Sequence, residues 1–196
     1  MNKTKTLWPA GTQLAPVPAV LIGCGDGNAV PFNLLTAAWV GVVCSEPPML
    51  AVSIRPERYS HPIITRAGEF TVNVPAAAIA EKVDFCGVKS GRDTDKIKAC
   101  GFTAERGSKV AAPVIAECPI TLECRVQQRL KLGSHDLFLG EVVAVQVDSA
   151  LIDATGKFDI DRADLLAYAH GHYYHLGACI GHFGYSVRKK PGSPVR

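Results

Sequence analysis

Residues 118–132 alternate between apolar and polar side chains over a longer stretch than any other part of the chain. The even positions are apolar, interrupted only by Gln128, and the polar odd positions are Glu123, Arg125, Gln127, Arg129 and Lys131. Successive side chains of a strand point to opposite faces, so the alternation predicts a long β-strand with one buried and one solvent-facing side. Residues 137–148 follow across the turn sequence GSHD and are predicted to complete a long hairpin.

Shorter apolar runs bounded by glycine or proline predict the remaining strands. They cover residues 18–24, 29–33, 36–44, 49–54 and 69–74.

Three short helices are predicted between these strands. The first begins at an N-cap Ser60, the second covers residues 76–87, and the third is capped by Asp93 or Thr94. Because strands dominate and do not alternate with helices, the pattern predicts a mainly β fold with peripheral helices, either an antiparallel barrel or a sandwich. It disfavours a dinucleotide-binding fold of alternating strands and helices.

Length and composition predict a single domain over residues 1–196, with residues 187–196 as a flexible tail. The chain has 196 residues, of which 47% are hydrophobic and 20% charged, as in ordinary globular proteins. A net charge of +3, with one basic cluster at residues 188–190, is too small to suggest a nucleic-acid partner. No run of about 18 apolar residues predicts a membrane-spanning segment.

Seven cysteines are present, an odd number, and none is spaced as CxxC. This usage predicts reduced thiols and a cytoplasmic protein rather than a disulfide framework. Cys44, Cys118 and Cys124 lie within apolar strand patterns, where cysteine packs as a small hydrophobic residue.

A histidine-rich segment near the C-terminus raises the question of a metal site. His170, His172, His175 and His182 occur there with Cys179 nearby. No single regular structure gathers three of these residues, whereas zinc needs three or four converging ligands. The segment is interpreted as the wall of a pocket or a subunit interface, with metal binding as the alternative.

The stretch SIRPERYSHPII, residues 53–64, gathers anion-binding groups where a strand passes into a helix. Arg55 and Arg58 offer charged donors, and Ser60 offers a hydroxyl at the start of the helix. Helix N-termini bind phosphate through free backbone N–H groups. Taken alone, the stretch fits a phosphate site or a solvated turn equally well.

Several segments in order resemble a known family. NLLTAAW at residues 33–39, SEPPMLAVSIRPERYSHPII at 45–64 and GEFTVNVP at 68–75 resemble the flavin reductase-like family with an FMN-binding split barrel. VDFCGVKSGRDTDKIKACGF and HYYHLGACIGHFGYS, further along the chain, are similar to its flavoredoxin-like subgroup. The resemblance implies a six-stranded antiparallel split β-barrel and a homodimer with FMN near the subunit interface.

The resemblance also implies the cofactor-binding residues. Ser53, Arg55 and Ser60 would bind the flavin phosphate, with Lys89 and Ser90 approaching it. The backbone of Thr36, Ala37, Ala38 and Trp39 would run along the flavin ring, and Asn33, Ile54 and Asn73 would complete the set.

The implied activity is NAD(P)H-dependent reduction of FMN, with electrons passed on to a flavin or a partner protein. The donor would be NADH or NADPH, and neither a catalytic acid–base residue nor a metal is expected, because the flavin itself accepts hydride. One alternative is a flavoredoxin-type electron carrier without its own nicotinamide site. Another is a flavin-binding protein without redox turnover, or a metal-binding protein that uses the histidines.

Overall fold

The computed structural model describes residues 4–187. The predicted tail, apart from Val187, and the basic cluster at residues 188–190 lie outside the described residues. The twelve strands are β1 (Val17–Pro18), β2 (Val20–Cys24), β3 (Asn33–Ala37), β4 (Val40–Ser45), β5 (Pro48–Ile54), β6 (Glu69–Val74), β7 (Ala104–Arg106), β8 (Pro113–Ile115), β9 (Ile120–Leu132), β10 (His135–Val147), β11 (Leu166–Ala169) and β12 (His172–His175).

The main sheet has seven antiparallel strands in the order β3-β2-β6-β9-β10-β5-β4. Strands β3 and β4 stand at opposite ends of this order, yet only Ala38 and Trp39 connect them along the chain. The path from Ala37 to Val40 spans at most about 11 Å, so the sheet must roll up until its two ends meet. A hydrogen bond from Ser53 N to Trp39 O (2.9 Å) joins β5 to this connection.

The interior of the barrel is apolar. Its buried side chains come from β2, β3, β5, β6, β9 and β10, with Ile64 closing one end, and they include Ile22, Leu35, Val52, Phe70 and Phe138. Six strands therefore surround the core, as expected for a six-stranded barrel, and β4 pairs with β5 as a seventh. The prediction of a mainly β, antiparallel barrel with peripheral helices is confirmed.

In the part of the chain that the structure describes, three α-helices pack around the barrel: α1 (Ser60–Ala67), α2 (Ala80–Val88) and α3 (Lys96–Cys100). Helix α2 covers the outer face of β2 and β3, where Leu21 and Leu34 pack with Val83 and Cys86 in a second core. Within the described residues, no helix has the length and apolar character needed to cross a membrane.

Predicted boundaries are wrong at three places. The predicted strand at residues 36–44 is divided, because β3 ends at Ala37 and β4 begins at Val40, with Ala38 and Trp39 as the connection between them. The strand expected at residues 29–33 begins only at Asn33, because the Val30 carbonyl closes a turn by accepting from Asp26 N and Gly27 N. Helix α3 is capped by Asp95, whose carboxylate accepts from Lys98 N (3.1 Å), rather than by Asp93 or Thr94.

The long hairpin is confirmed, but the predicted solvent-facing side of β9 is not exposed along its whole length. Glu123 lies on the predicted solvent side of β9 and is 0% exposed. Its carboxylate accepts hydrogen bonds from the backbone N–H groups of Ser108, Lys109 and Val110, and from Gln146 Nε2. A loop folded over this face therefore turns a predicted surface residue into a buried anchor.

Candidate functional site

A groove runs along the line where β3 and β5 approach each other in the rolled sheet. Its narrow end, here called the seam cavity, has a volume of about 120 Å³. The residues that line it are Leu35, Thr36, Ala37, Ala38, Trp39, Ser53, Ile54, Arg55, Arg58 and His135. The segments predicted to contact the flavin ring and the residues after β5 therefore face one another across this cavity.

The groove continues into a larger, positively charged space, here called the cationic cavity, of about 480 Å³. It shares Leu35, Arg55 and Arg58 with the seam cavity, so the two are continuous. Its lining includes five cationic residues, Arg55, Arg58, Lys89, Arg92 and Lys96, against one carboxylate, Glu57. Such an imbalance favours an anionic ligand, because five like charges converge here against a single carboxylate.

Arg55 and Arg58 are held differently in this cavity. Arg55 Nη1 lies 3.4 Å from Glu57 Oε1, and both side chains are more than half exposed. An exposed pair of this kind contributes little stability, so Arg55 can turn to a bound anion at small cost. Arg58 Nη1 donates to the Gly87 carbonyl (3.3 Å), which links the loop after β5 to helix α2.

Ser60 begins helix α1, and its buried hydroxyl accepts a hydrogen bond from Asn33 Nδ2 (2.7 Å). It lines the cationic cavity but does not act as the predicted N-cap, since Tyr59 occupies that position. Asn33 does not line this cavity itself and reaches it only through its hydrogen bond to Ser60. The structure thus brings both predicted residues to the anion-binding end.

The loop between α2 and α3 carries Lys89 and Ser90 into the same cavity. It turns tightly there, because Arg92 N donates to Ser90 Oγ (3.2 Å) and Asp93 N donates to the Ser90 carbonyl (3.2 Å). Both predicted residues therefore lie beside the cations contributed by the loop after β5.

Lys96 is the least exposed of the five cations. Its Nζ donates to the Leu34 carbonyl (2.8 Å) and the Cys86 carbonyl (2.7 Å), which ties α3 to β3 and α2. Burial lowers the pKa of this ammonium, because the charged form loses hydration. A neighbouring anion would offset that loss, so Lys96 is suited to stand beside one.

The loop after β5 is supported by a buried hydrogen-bonded pair. His61 Nε2 and Asp136 Oδ2 are 2.9 Å apart and both residues are buried, while Arg129 Nε lies 3.7 Å from the same oxygen. The pair joins the first turn of α1 to β10. It fixes the position of Ser60 and of the start of the helix relative to the barrel.

Asn73 does not belong to this site, and its assignment to the cofactor set is corrected. The residue is fully buried on β6. Its Nδ2 donates to the Leu21 carbonyl, and its Oδ1 accepts from Ile115 N and Thr121 Oγ1. These partners occupy the amide, so Asn73 stabilises the packing of β2, β8 and β9.

Sequence reasoning missed several residues that line the groove. Arg92 and Lys96 follow Ser90 in the segment SGRDTDK, and His135 is the first residue of β10. A signal was available for Lys96, since it is the lysine of the segment that already suggested Lys89 and Ser90. His135 approaches the groove only through the pairing of β10 with β5.

The histidine-rich segment lies on the surface. His172 Nδ1 is 3.0 Å from the His170 carbonyl, and His175 Nδ1 is 2.9 Å from Asp164 Oδ1. Across residues 4–187, no three His, Cys, Asp or Glu side chains converge as metal ligands.

Comparison with known proteins shows which family this architecture resembles. The family model described as "Flavin reductase like domain" matches residues 13–177. The structure is similar to flavoredoxin of Desulfovibrio vulgaris (Miyazaki F), with a TM-score of 0.87 and 32% identity, covering 94% of this chain and 100% of that one. It is similar to flavoredoxin from Methanosarcina acetivorans, with a TM-score of 0.82 and 30% identity over 94% of this chain and 100% of that one.

One relative in sequence is named as an enzyme. FMN reductase (NADH) RutF of Stutzerimonas stutzeri is 28% identical over 143 residues, which is 73% of each chain. These similarities agree with the family match, with the rolled sheet and with the groove between β3 and β5. The chain belongs to the flavin reductase-like family.

Proposed function

We propose that the protein is an NAD(P)H-dependent FMN reductase that binds FMN along the groove. The observation that carries this proposal is the grouping of five cations at one end of a groove whose other end lies between β3 and β5. A flavin mononucleotide has the same polarity, with a phosphate at one end and a flat ring at the other. The family match supports a flavin as the ligand.

The cationic cavity would hold the phosphate. Arg55 and Arg58 supply guanidinium donors, Lys89 and Lys96 supply ammonium groups, and Ser60 supplies a hydroxyl. Charge-assisted hydrogen bonds are shorter and stronger than neutral ones, so this end would provide most of the specificity for a phosphorylated flavin.

The seam cavity would hold the ring end. The Thr36 hydroxyl donates to the Val83 carbonyl, so this side chain is engaged and Thr36 offers a ligand only its backbone. FMN, when bound, supplies the capacity to accept hydride and pass on electrons. The chain needs only to bind it, orient it and leave one ring face open.

An apolar cavity of about 430 Å³ adjoins the seam and could admit a nicotinamide ring. It shares Ala38, Trp39 and Ser53 with the seam cavity, and Leu14 and Val17 line its other side. Flat rings stack favourably on apolar and aromatic surfaces. This space, together with the name of the RutF relative, favours a reductase that uses its own nicotinamide donor.

The alternative is a flavoredoxin-type electron carrier that receives electrons from a partner protein. The similarity to two flavoredoxin structures supports it. In that case the apolar cavity would be covered or would contact the redox partner, and no nicotinamide would bind there.

An anaerobic absorbance titration separates the two functions. The purified protein is loaded with FMN and titrated with NADH, then with NADPH, and the loss of the flavin's visible absorbance is followed. A reductase bleaches within seconds and reveals its preferred nucleotide. Bleaching by dithionite alone would contradict the reductase and favour the carrier.

We further propose that the protein is a cytoplasmic homodimer. Val42 and Val43 on strand β4 are 76% and 54% exposed, and Trp39 beside them is 45% exposed. Strand β4 is an end strand of the sheet, and exposed apolar edges are normally covered. A second copy is the favoured occupant because β4 begins directly at the seam.

Light scattering on the purified protein tests the dimer. A mass of two chains is expected, and Val42→Glu should reduce it to one. Val88→Glu, which changes an exposed valine on α2, is the matched control and should leave the dimer intact. A wild-type mass of one chain would contradict the proposal.

A further inference from the structure

Two cysteine thiols lie in contact between helices α2 and α3. Cys86 Sγ and Cys100 Sγ are 3.9 Å apart, and both thiols are free. Cys86 is in the last turn of α2 and is fully buried, whereas Cys100 is the last residue of α3 and is partly exposed. A disulfide has its sulfurs about 2.0 Å apart, so small movements of the two side chains and helix ends would bring these sulfurs to bonding distance.

The segment between the two cysteines forms one side of the cationic cavity. Within residues 87–99, the residues that line this cavity are Lys89, Ser90, Gly91, Arg92 and Lys96. Three of the five cations of the cavity therefore lie in the loop that a bond between Cys86 and Cys100 would close.

The backbone beside Cys86 also holds cations in place. Lys96 Nζ donates to the Cys86 carbonyl (2.7 Å), and Arg58 Nη1 donates to the Gly87 carbonyl (3.3 Å). The end of α2 thus contacts a cation from each side of the cavity, since Lys96 belongs to α3 and Arg58 to the loop after β5. The thiol pair is therefore joined directly to the residues that would hold an anion.

We propose that Cys86 and Cys100 form a reversible disulfide that restrains the loop of residues 87–99. A cross-link removes conformations in which this loop is open, so less conformational entropy is lost when an anion binds among its cations. The bond itself depends only on the two thiols. Its expected consequence, slower release of FMN, rests on the proposed function.

Hydrogen peroxide is the oxidant in this proposal. The thiolate of Cys100, the more exposed residue, attacks a peroxide oxygen, the O–O bond breaks, and a sulfenic acid forms as hydroxide leaves. The Cys86 thiolate then attacks Cys100 Sγ, which forms the S–S bond and breaks the S–O bond. The two hydroxides take up the protons of the two thiols. Two thiols are thereby oxidised to one disulfide, and one peroxide is reduced to two waters.

The second step is slow because Cys86 is buried. Burial, with the neighbouring Cys100 as a further cause, raises the pKa of Cys86 to about 12, so little thiolate is present near neutral pH. Burial also keeps reagents in solution away from Cys86, and Cys100 Sγ is the reactive sulfur within its reach. We therefore expect the bond to form over roughly minutes to hours.

Peptide mapping tests the bond. The full-length protein is treated with hydrogen peroxide, the peroxide is removed with catalase, and the remaining thiols are blocked in denaturant. Trypsin digestion without reduction leaves Cys86 in the peptide 83–89 and Cys100 in the peptide 99–106. Mass spectrometry should find these two peptides joined, and dithiothreitol should separate them.

Two further measurements compare the oxidised and the reduced wild-type protein. The melting temperature should rise by about 4 °C or more on oxidation, because the cross-link constrains the unfolded chain. FMN should dissociate about threefold more slowly or slower still from the oxidised protein, as measured by the recovery of flavin fluorescence after dilution.

Cys100→Ser should abolish both effects of peroxide, because Cys86 then has no sulfur to bond. Cys179→Ser is the matched control and should keep both effects, since Cys179 is exposed and its thiol donates to the Gly181 carbonyl.

The outcomes separate this inference from the proposed function. Absence of the joined peptides from the peroxide-treated wild type would overturn the inference, and this result needs no variant. Joined peptides with an unchanged melting temperature and unchanged FMN release would also overturn it, because the bond would then restrain nothing. Joined peptides and a raised melting temperature in a protein that binds no FMN would confirm the disulfide and refute the proposed function.

Discussion

Gly91 packs directly against the side-chain amide of Asn33. A Cβ atom added to Gly91 would lie 2.1 Å from Asn33 Oδ1 and 2.7 Å from Tyr59 Cδ1. Asn33 cannot move aside freely, because it is buried and donates to Ser60 Oγ. Because Gly91 has no side chain, the loop that carries Lys89, Ser90 and Arg92 can lie this close to the start of α1.

Gly91→Ala should separate the two sides of the cationic cavity. The clash would displace the loop or Ser60, and we expect FMN to bind about tenfold more weakly, in keeping with the cost of overpacking. Fluorescence quenching measures the change. Gly177→Ala is the control, since a Cβ there meets nothing within 4 Å. Unchanged FMN affinity in Gly91→Ala would show that the loop does not hold the phosphate.

Arg55→Ala should weaken FMN retention. Arg55 lines both the seam and the cationic cavities, and its exposed pairing with Glu57 leaves it free to turn to a phosphate. Loss of one charge-assisted bond in a partly solvated site should raise the dissociation constant roughly 5- to 30-fold. Calorimetry measures it, with Arg162→Ala, an exposed arginine outside the groove, as the control. FMN held as tightly as in the wild type would refute the phosphate contact.

Glu123 should make the fold sensitive to acid. Burial alone would raise the pKa of its carboxyl, but hydrogen bonds from Gln146, Lys109 and Ser108 outweigh burial and lower the pKa from 4.5 to about 2. The folded state thus holds the ionised form where the unfolded chain binds a proton. The resulting stability is present above pH 4.5 and is lost as the pH falls from about 5 to 2.

The substitution Glu123→Gln isolates this contribution. At pH 7 it should reduce the free energy of unfolding by roughly 2–4 kcal/mol, because an amide cannot accept from all the same donors. The difference from the wild type should shrink as the pH falls from about 5 to about 2.5. Urea unfolding at several pH values measures it, with Glu105→Gln on exposed β7 as the control. A difference that stays constant with pH would contradict the assignment.

The buried cysteines should resist modification. Burial raises the pKa of Cys24 to about 11 and, as the main cause, the pKa of Cys86, Cys118 and Cys124 to about 12. The thiolate is the reactive form, so these four should not react with a disulfide reagent near pH 8. At most the other three of the seven thiols should react in the folded protein, and all seven in denaturant. Rapid reaction of more than three thiols in the folded protein would contradict this prediction.

The long hairpin could be predicted because its signal is local, whereas the choice of a barrel over a sandwich rested on the family resemblance. Alternation along β9 follows directly from the opposite directions of neighbouring side chains, and the prediction of the hairpin is confirmed. The burial of Glu123 could not be read in the same way, because residues 107–110 cover it only in the folded chain. Leu130 and Leu132 show the reverse error, since they follow the apolar pattern but are exposed at the end of the hairpin.

The groove could be predicted in part. The TAAW segment and the residues after β5 were placed together by their resemblance to a family, and the structure brings them to one seam. Asn73 was wrongly included because a polar residue in a strand can serve a ligand or a buried network equally well by sequence. Arg92 was missed because it meets Arg55 only when the loop between α2 and α3 packs against Asn33 and Tyr59, whereas Lys96 stood in the segment that had already suggested Lys89 and Ser90.

The relative affinity for FMN and riboflavin tests the central claim most directly. The two ligands share the flavin ring and ribityl chain and differ only in the phosphate, so their difference reports on the cationic cavity. Calorimetric titration should show FMN binding about 100-fold more tightly, since several charge-assisted hydrogen bonds reach the phosphate. Affinities that agree within about threefold would contradict a phosphate site at this end of the groove.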